Sequence, residues 1–178
     1  MSHNELLELI DAGVIQNAKK EAVNAASIDI HLGDIVIVEC QPYPRDYVVD
    51  YRKREKYTSS QYFCKSMEYI LHPGDFILTQ SVEVFNLPNN ISAEYKLKSS
   101  MARIGLDHCL AGWCDAGWNG SVLTMELKNV LKHHAIQIRS GDAIGQMIFF
   151  RHSPVPDDAS YASKGRYNGD KMVKAIKA

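Results

Sequence analysis

Two hydroxyls and two cations crowd into six residues, Lys98-Ser99-Ser100-Met101-Ala102-Arg103. Hydroxyls and backbone amides donate to phosphate oxygens, an ammonium adds a point charge, and a guanidinium grips oxygens two at a time, so this stretch can serve as an anion cradle. The same residues also fit a serine-rich turn with a solvated Lys98 and Arg103. Further along, Glu126 stands between Met125 and Leu127 in an otherwise apolar run. A carboxylate buried there is driven toward protonation and becomes a candidate general base and acid; on the solvent face of an alternating strand it would be an ordinary surface glutamate. Asp115, before Ala116-Gly117, is either a functional carboxylate or a turn residue bonding its own backbone.

Other chemistries find little support. Zinc-dependent base deaminases need a His-x-Glu helix and a later Pro-Cys-x-x-Cys. Here His3-Asn4-Glu5 fits a helix cap instead, and Cys109 and Cys114 lack both the spacing and the proline. These two cysteines are expected to be core thiols. Neighbouring strand side chains point apart, so His133-His134 is expected in an exposed turn and not in a metal site. No Ser-His-Asp arrangement, phosphate-binding glycine loop or dinucleotide fingerprint is present.

Positioning these residues falls to strands. Ile28, Ile30 and Leu32 alternate with Asp29 and His31, then Gly33-Asp34 predicts a turn; further strands are expected at 35–38, 76–80, 82–85, 92–97, 121–127, 135–138 and 144–150. Ser2 and Glu5 form a capping box ahead of a short helix carrying Leu6, Leu7, Leu9 and Ile10, with Gly13 ending it. The stretch 41–69 reads as an irregular excursion with one helix. Beyond 151 the sequence turns polar and small and predicts a mobile C-terminal arm without core contacts. The whole chain, 1–178, reads as one domain. Twenty basic against twenty-one acidic residues give a net charge of −1, which argues against a nucleic-acid or membrane surface. Four scattered cysteines and no leader pattern point to a reduced, cytoplasmic protein.

Taken in order, Ser99-Ser100-Met101-Ala102-Arg103-Ile104-Gly105-Leu106, Ala111-Gly112-Trp113-Cys114-Asp115-Ala116-Gly117-Trp118-Asn119-Gly120 and Met125-Glu126-Leu127-Lys128-Asn129 resemble the motifs of the dCTP deaminase family, within the dCTP deaminase and dUTPase superfamily. Ala26 to Gly33, Leu71 to Asp75, Asn86-Leu87-Pro88, Ile144-Gly145-Gln146 and the tail Arg166 to Lys171 agree as well. The resemblance implies a mainly β, distorted antiparallel jelly-roll with short helices, assembled as a homotrimer with active sites shared between subunits. It implies hydrolytic deamination of dCTP to dUTP and ammonia without a catalytic metal or zinc, Mg²⁺ arriving on the triphosphate. Carried over by position, Glu126 activates the water, Ser99 and Arg103 orient it, and a backbone carbonyl near Gly112 accepts a hydrogen bond. Asp115 meets the deoxyribose 3′-hydroxyl, and Lys98, Ser100, Gln146, Tyr161, Arg166, Tyr167 and Lys171 are further nucleotide contacts. A deaminase of this kind supplies dUTP and dUMP to pyrimidine deoxynucleotide synthesis, with dTTP a candidate feedback inhibitor.

Departures from the family pattern matter. Lys98 stands where Arg is common, and Asp170 where a phosphate-contacting Gln is usual. Gly112 replaces the His often found in deaminases that stop at dUTP, which keeps open a bifunctional enzyme that goes on to dUMP and pyrophosphate with Asp115 assisting. A third reading on the same scaffold is a non-catalytic nucleotide sensor.

Overall fold

A computed structural model describes residues 1–38, 52, 64–65 and 68–176. The expected irregular excursion at 41–69, with its helix, lies almost entirely outside the described residues, as does Cys40. In chain order the elements are α1 (His3–Asp11), β1 (Ile15–Gln16), β2 (Ile28–Val38), β3 (Cys64–Lys65), β4 (Glu68–Leu71), β5 (Phe76–Asn86), β6 (Ile91–Leu97), α2 (Ser99–Arg103), β7 (Leu106–Asp107), β8 (Trp113–Cys114), β9 (Asn119–Asn129), β10 (Ile136–Arg139), β11 (Ala143–Arg151) and α3 (Tyr161–Lys164). All strand pairs are antiparallel. One sheet runs β7-β9-β5-β2-β11-β6-β8, with β1 added on β5 and β3 on β2, and β10 pairs with β4 in a small second sheet. The fold is mainly β, a curled antiparallel sheet with few short helices, as the motifs implied.

The first helix forms as its residues dictate. Glu5 accepts the Ser2 backbone N–H at 2.8 Å, closing the capping box, and Gly13 follows the last turn at φ +71°. Leu6 and Leu9 are buried on the core side.

Two expected breaks are absent. Gly33-Asp34 is not a turn: β2 runs through it, pairing with β11 on one side and β5 beyond it, with a register shift between Leu32 and Val36. Gly33 is needed because a Cβ there would sit 2.9 Å from the Gln80 Cγ. Likewise 76–80 and 82–85 join into one strand, β5, whose register against β9 slips between Gln80 and Val84. The Ser81 hydroxyl knits that bulge, donating to the Glu83 carbonyl at 2.7 Å and accepting the Leu123 amide at 2.9 Å. Such bulges bend long strands, so β2 and β5 curl the sheet around a core that includes Ile28, Ile30, Ile77, Phe85, Met125, Leu127, Met147 and Phe149.

The tail differs from expectation too. Val173 is fully buried against Ile35, Ile37 and Leu78, and Ala175 is also buried, so the segment after 151 does make core contacts.

Candidate active site

Alternation along β9 points Val122, Thr124 and Glu126 to one side, and all three line a cavity of about 390 Å³. Leu78 of β5 stands directly opposite Glu126, and Gln80 opposite Thr124. The cavity also takes in Ala111, Trp113, Asp115, Trp118, Tyr161, Tyr167, Asp170 and Lys174. Glu126 is half-buried, and this burial pushes its carboxyl above the ordinary carboxylate range, opposed in part by a hydrogen bond from its own backbone amide. The group is therefore neither the fully exposed surface glutamate nor a sealed core acid. It is a carboxyl that faces a cavity and holds its proton more tightly than usual.

Asp115 is exposed at the same cavity, and its Oδ1 accepts the Trp113 indole N–H at 2.7 Å. It thus bonds a neighbouring side chain as well as closing a turn, its backbone carbonyl accepting the Trp118 amide at 3.1 Å. The Trp118 ring stacks on Phe85 with centroids 5.4 Å apart, and its indole donates to the Tyr167 carbonyl at 2.9 Å. Through that bond the body of the sheet holds the tail over the cavity.

The loop beside Asp115 is tight. The Gly112 carbonyl accepts the Tyr95 amide at 2.7 Å, and a Cβ on Gly112 would lie 2.3 Å from the Tyr95 carbonyl oxygen. No side chain, histidine included, fits at that position without moving β6. The Gly112 carbonyl already accepts one bond, and the neighbouring Ala111 lines the cavity.

The remaining expected site residues are dispersed. Ser99, Ser100 and Arg103 lie on α2, a short helix in place of the expected turn, and the two serines are exposed. Arg103 lines a different hollow with Ile104, Leu131, Ala135, Ile136 and Gln137. Lys98 makes an ion pair with Asp29 at 2.5 Å. Asp29 also accepts from Asn24 at 2.8 Å, and Gln146 accepts the Ser27 hydroxyl at 3.3 Å in the same polar cluster. Ser99 and Arg103 stand four residues apart on α2, and none of Lys98, Ser99, Ser100 and Arg103 lines the Glu126 cavity of its own chain. Tyr161 and Tyr167 do join Asp115 and Glu126, while Arg166 is exposed and Lys171 lies with its Nζ above Gly120.

Cys114 is buried, and burial drives its thiol up to about 12, whereas Cys109 is exposed at φ +52°, so only one of the two is a core thiol. His133 and His134 are exposed between β9 and β10. Sequence reasoning missed Gln80, Ser121 and Lys174. Gln80 accepts the Val173 amide at 2.8 Å, and Ser121 accepts the Asp170 amide at 3.2 Å. A buried polar residue within an apolar strand, Gln80, was the readable signal.

The model of the dCTP deaminase-like family matches residues 1–152, more than four-fifths of the chain. The chain belongs to the dCTP deaminase-like family. Among family relatives, one from Methanosphaerula palustris named "dCTP deaminase, dUMP-forming" is 32% identical over 95% of this chain and 90% of its own length. A relative of the same name from Nocardioides sp. is 34% identical over 96% of this chain and 91% of its own. Among solved structures, the 2′-deoxycytidine 5′-triphosphate deaminase of Agrobacterium tumefaciens superposes with a TM-score of 0.64 at 19% identity, over 84% of this chain. This chain spans 46% of that longer one. The dUTPase of Streptococcus mutans superposes with a TM-score of 0.51 at 13% identity, over 78% of this chain and 88% of that one. At such identities the two structures speak for the fold alone.

Proposed function

We propose that this chain hydrolyses the exocyclic amine of dCTP and then cleaves the resulting dUTP to dUMP and pyrophosphate. The observation that carries the reading is a single cavity holding two carboxyls of different character. Glu126 is half-buried with a raised pKa, and Asp115 is exposed and tethered to an indole. The names of the family relatives, dUMP-forming, favour this over the deaminase stopping at dUTP that the motifs first suggested, and the absence of room for a side chain at Gly112 agrees.

In the first step Glu126 takes a proton from water as its oxygen attacks C4, and returns it toward the ring and the departing ammonia. One water is consumed and one ammonia leaves. In the second, Asp115 assists the water that attacks the α-phosphate, and pyrophosphate leaves. A carboxyl with a raised pKa suits a group that must both accept and return a proton near neutrality. The substrate is the magnesium complex of the nucleotide, and deamination uses no protein-bound metal.

Arg103 and Ser99 lie outside the Glu126 cavity of their own chain. The reading therefore includes a homotrimer in which the α2 segment of one subunit completes the cavity of the next. Among the described residues no helix is long and apolar enough to cross a membrane.

Incubation of the purified protein with dCTP and Mg²⁺, resolved by anion exchange beside a parallel dUTP reaction, tests this. Expected products are dUMP, pyrophosphate and ammonia, with dUTP also consumed. Accumulation of dUTP would reduce the enzyme to a plain deaminase; binding of dCTP without turnover would make it a sensor.

A further inference from the structure

The cavity is poor in positive charge for the ligand assigned to it. Asp115, Glu126 and Asp170 contribute carboxyls, and among the described residues Lys174 is the one cation that lines it. A nucleoside triphosphate brings several negative charges even as its magnesium complex, so a cation fixed within this chain, besides those that a neighbouring α2 segment adds, would offset the carboxyls its phosphates meet.

Lys174 is held as a fixed cation would be. Its Nζ contacts the Asp170 Oδ1 at 2.8 Å, and the Asp170 side chain is only 10% exposed while that of Lys174 is 48% exposed. The acid is thus the inner member and the ammonium is reachable. Between them, Val173 is buried against Ile35, Ile37 and Leu78, and its amide donates to the Gln80 Oε1 at 2.8 Å. Upstream, the Asp170 amide donates to the Ser121 hydroxyl and its carbonyl accepts the Val122 amide at 2.9 Å. Residues 170–174 therefore form a shelf pinned to β5 and β9 at both ends, and the Lys174 ammonium does not have to be ordered when a ligand arrives.

We infer that Lys174 is a phosphate-binding residue of this cavity, presented by Asp170 as its positioning partner, and that it sets the preference for a nucleoside triphosphate over a monophosphate. The arrangement also accounts for the acid at 170. Its charge is matched by Lys174, four residues on.

The inference rests on the dCTP reading above, and the test separates the two. Steady-state kinetics with Mg²⁺–dCTP and calorimetric titration with dCTP and dCMP would compare the wild type with Lys174→Gln and Lys174→Arg. A charge-assisted contact of this kind predicts that Lys174→Gln raises KM for dCTP about tenfold. It should leave kcat within about twofold and dCMP affinity unchanged, and Lys174→Arg should recover most of the loss. An unchanged KM in Lys174→Gln, or equal weakening of dCTP and dCMP, would overturn the assignment, the second outcome marking Lys174 as a structural prop for the tail. A wild type that ignores dCTP would sink the parent reading, and this inference with it, before any variant is compared.

Discussion

Glu126→Gln is expected to slow ammonia release from dCTP by roughly 10²–10⁴-fold, the usual contribution of a positioned acid–base group. The amide keeps the shape of the side chain opposite Leu78 but cannot carry the proton from water to the ring. Nucleotide binding should survive, and so should conversion of added dUTP to dUMP. The same substitution should stabilise the fold at high pH. Burial raises the Glu126 pKa in the folded state above its unfolded value, so the folded protein binds that proton more tightly. Any advantage from the protonated form is fully present below the unfolded pKa and is lost as pH rises through the folded one. The glutamine variant carries no such loss. Its Tm should exceed that of the wild type at pH 8 and approach it at pH 4. A fall in Tm at pH 8 that is absent at pH 4 would instead mean that the carboxylate has a stabilising partner and that its burial is not costly.

Asp115→Asn is expected to divide the reaction at the other point. The asparagine oxygen can still accept the Trp113 indole N–H, so the loop should keep its form, but the side chain no longer supplies a base for water. Pyrophosphate release should drop by roughly 10²–10⁴-fold while dCTP is still deaminated, so dUTP accumulates. The two variants give opposite patterns from one cavity: Glu126→Gln stops at dCTP and Asp115→Asn at dUTP. Parallel loss of ammonia and pyrophosphate in Asp115→Asn would show that the carboxylate acts only by holding the sugar through both steps.

Much of this site was legible in the residues before any coordinates. A carboxylate between Met125 and Leu127 and the ordered motifs around Asp115 led to the same cavity, and Ser2, Glu5 and Gly13 bounded α1 correctly. Alternation and capping are local properties, and local properties survive folding. What was misread depends on tertiary context. Glycine at 33 looked like a turn, but it is there to let Gln80 approach, and β2 continues through it. The polar composition after 151 suggested a loose arm, yet one valine, Val173, finds a groove, and Gln80 is placed to bind its amide. Lys98 and Arg103 are close in sequence, but Asp29 engages one and α2 directs the other to a separate hollow.

That separation of Arg103 from Glu126 has a genetic consequence. If, as proposed, the α2 segment of one subunit completes the cavity of the next in a homotrimer, Arg103→Ala and Glu126→Gln each remove one half of a composite centre, and neither would be active alone. If subunits from the two strains mix at random in trimers, roughly one interface in four pairs an intact Arg103 with an intact Glu126. Two dead alleles expressed together would then restore about a quarter of normal turnover, which no rearrangement inside a single polypeptide could do.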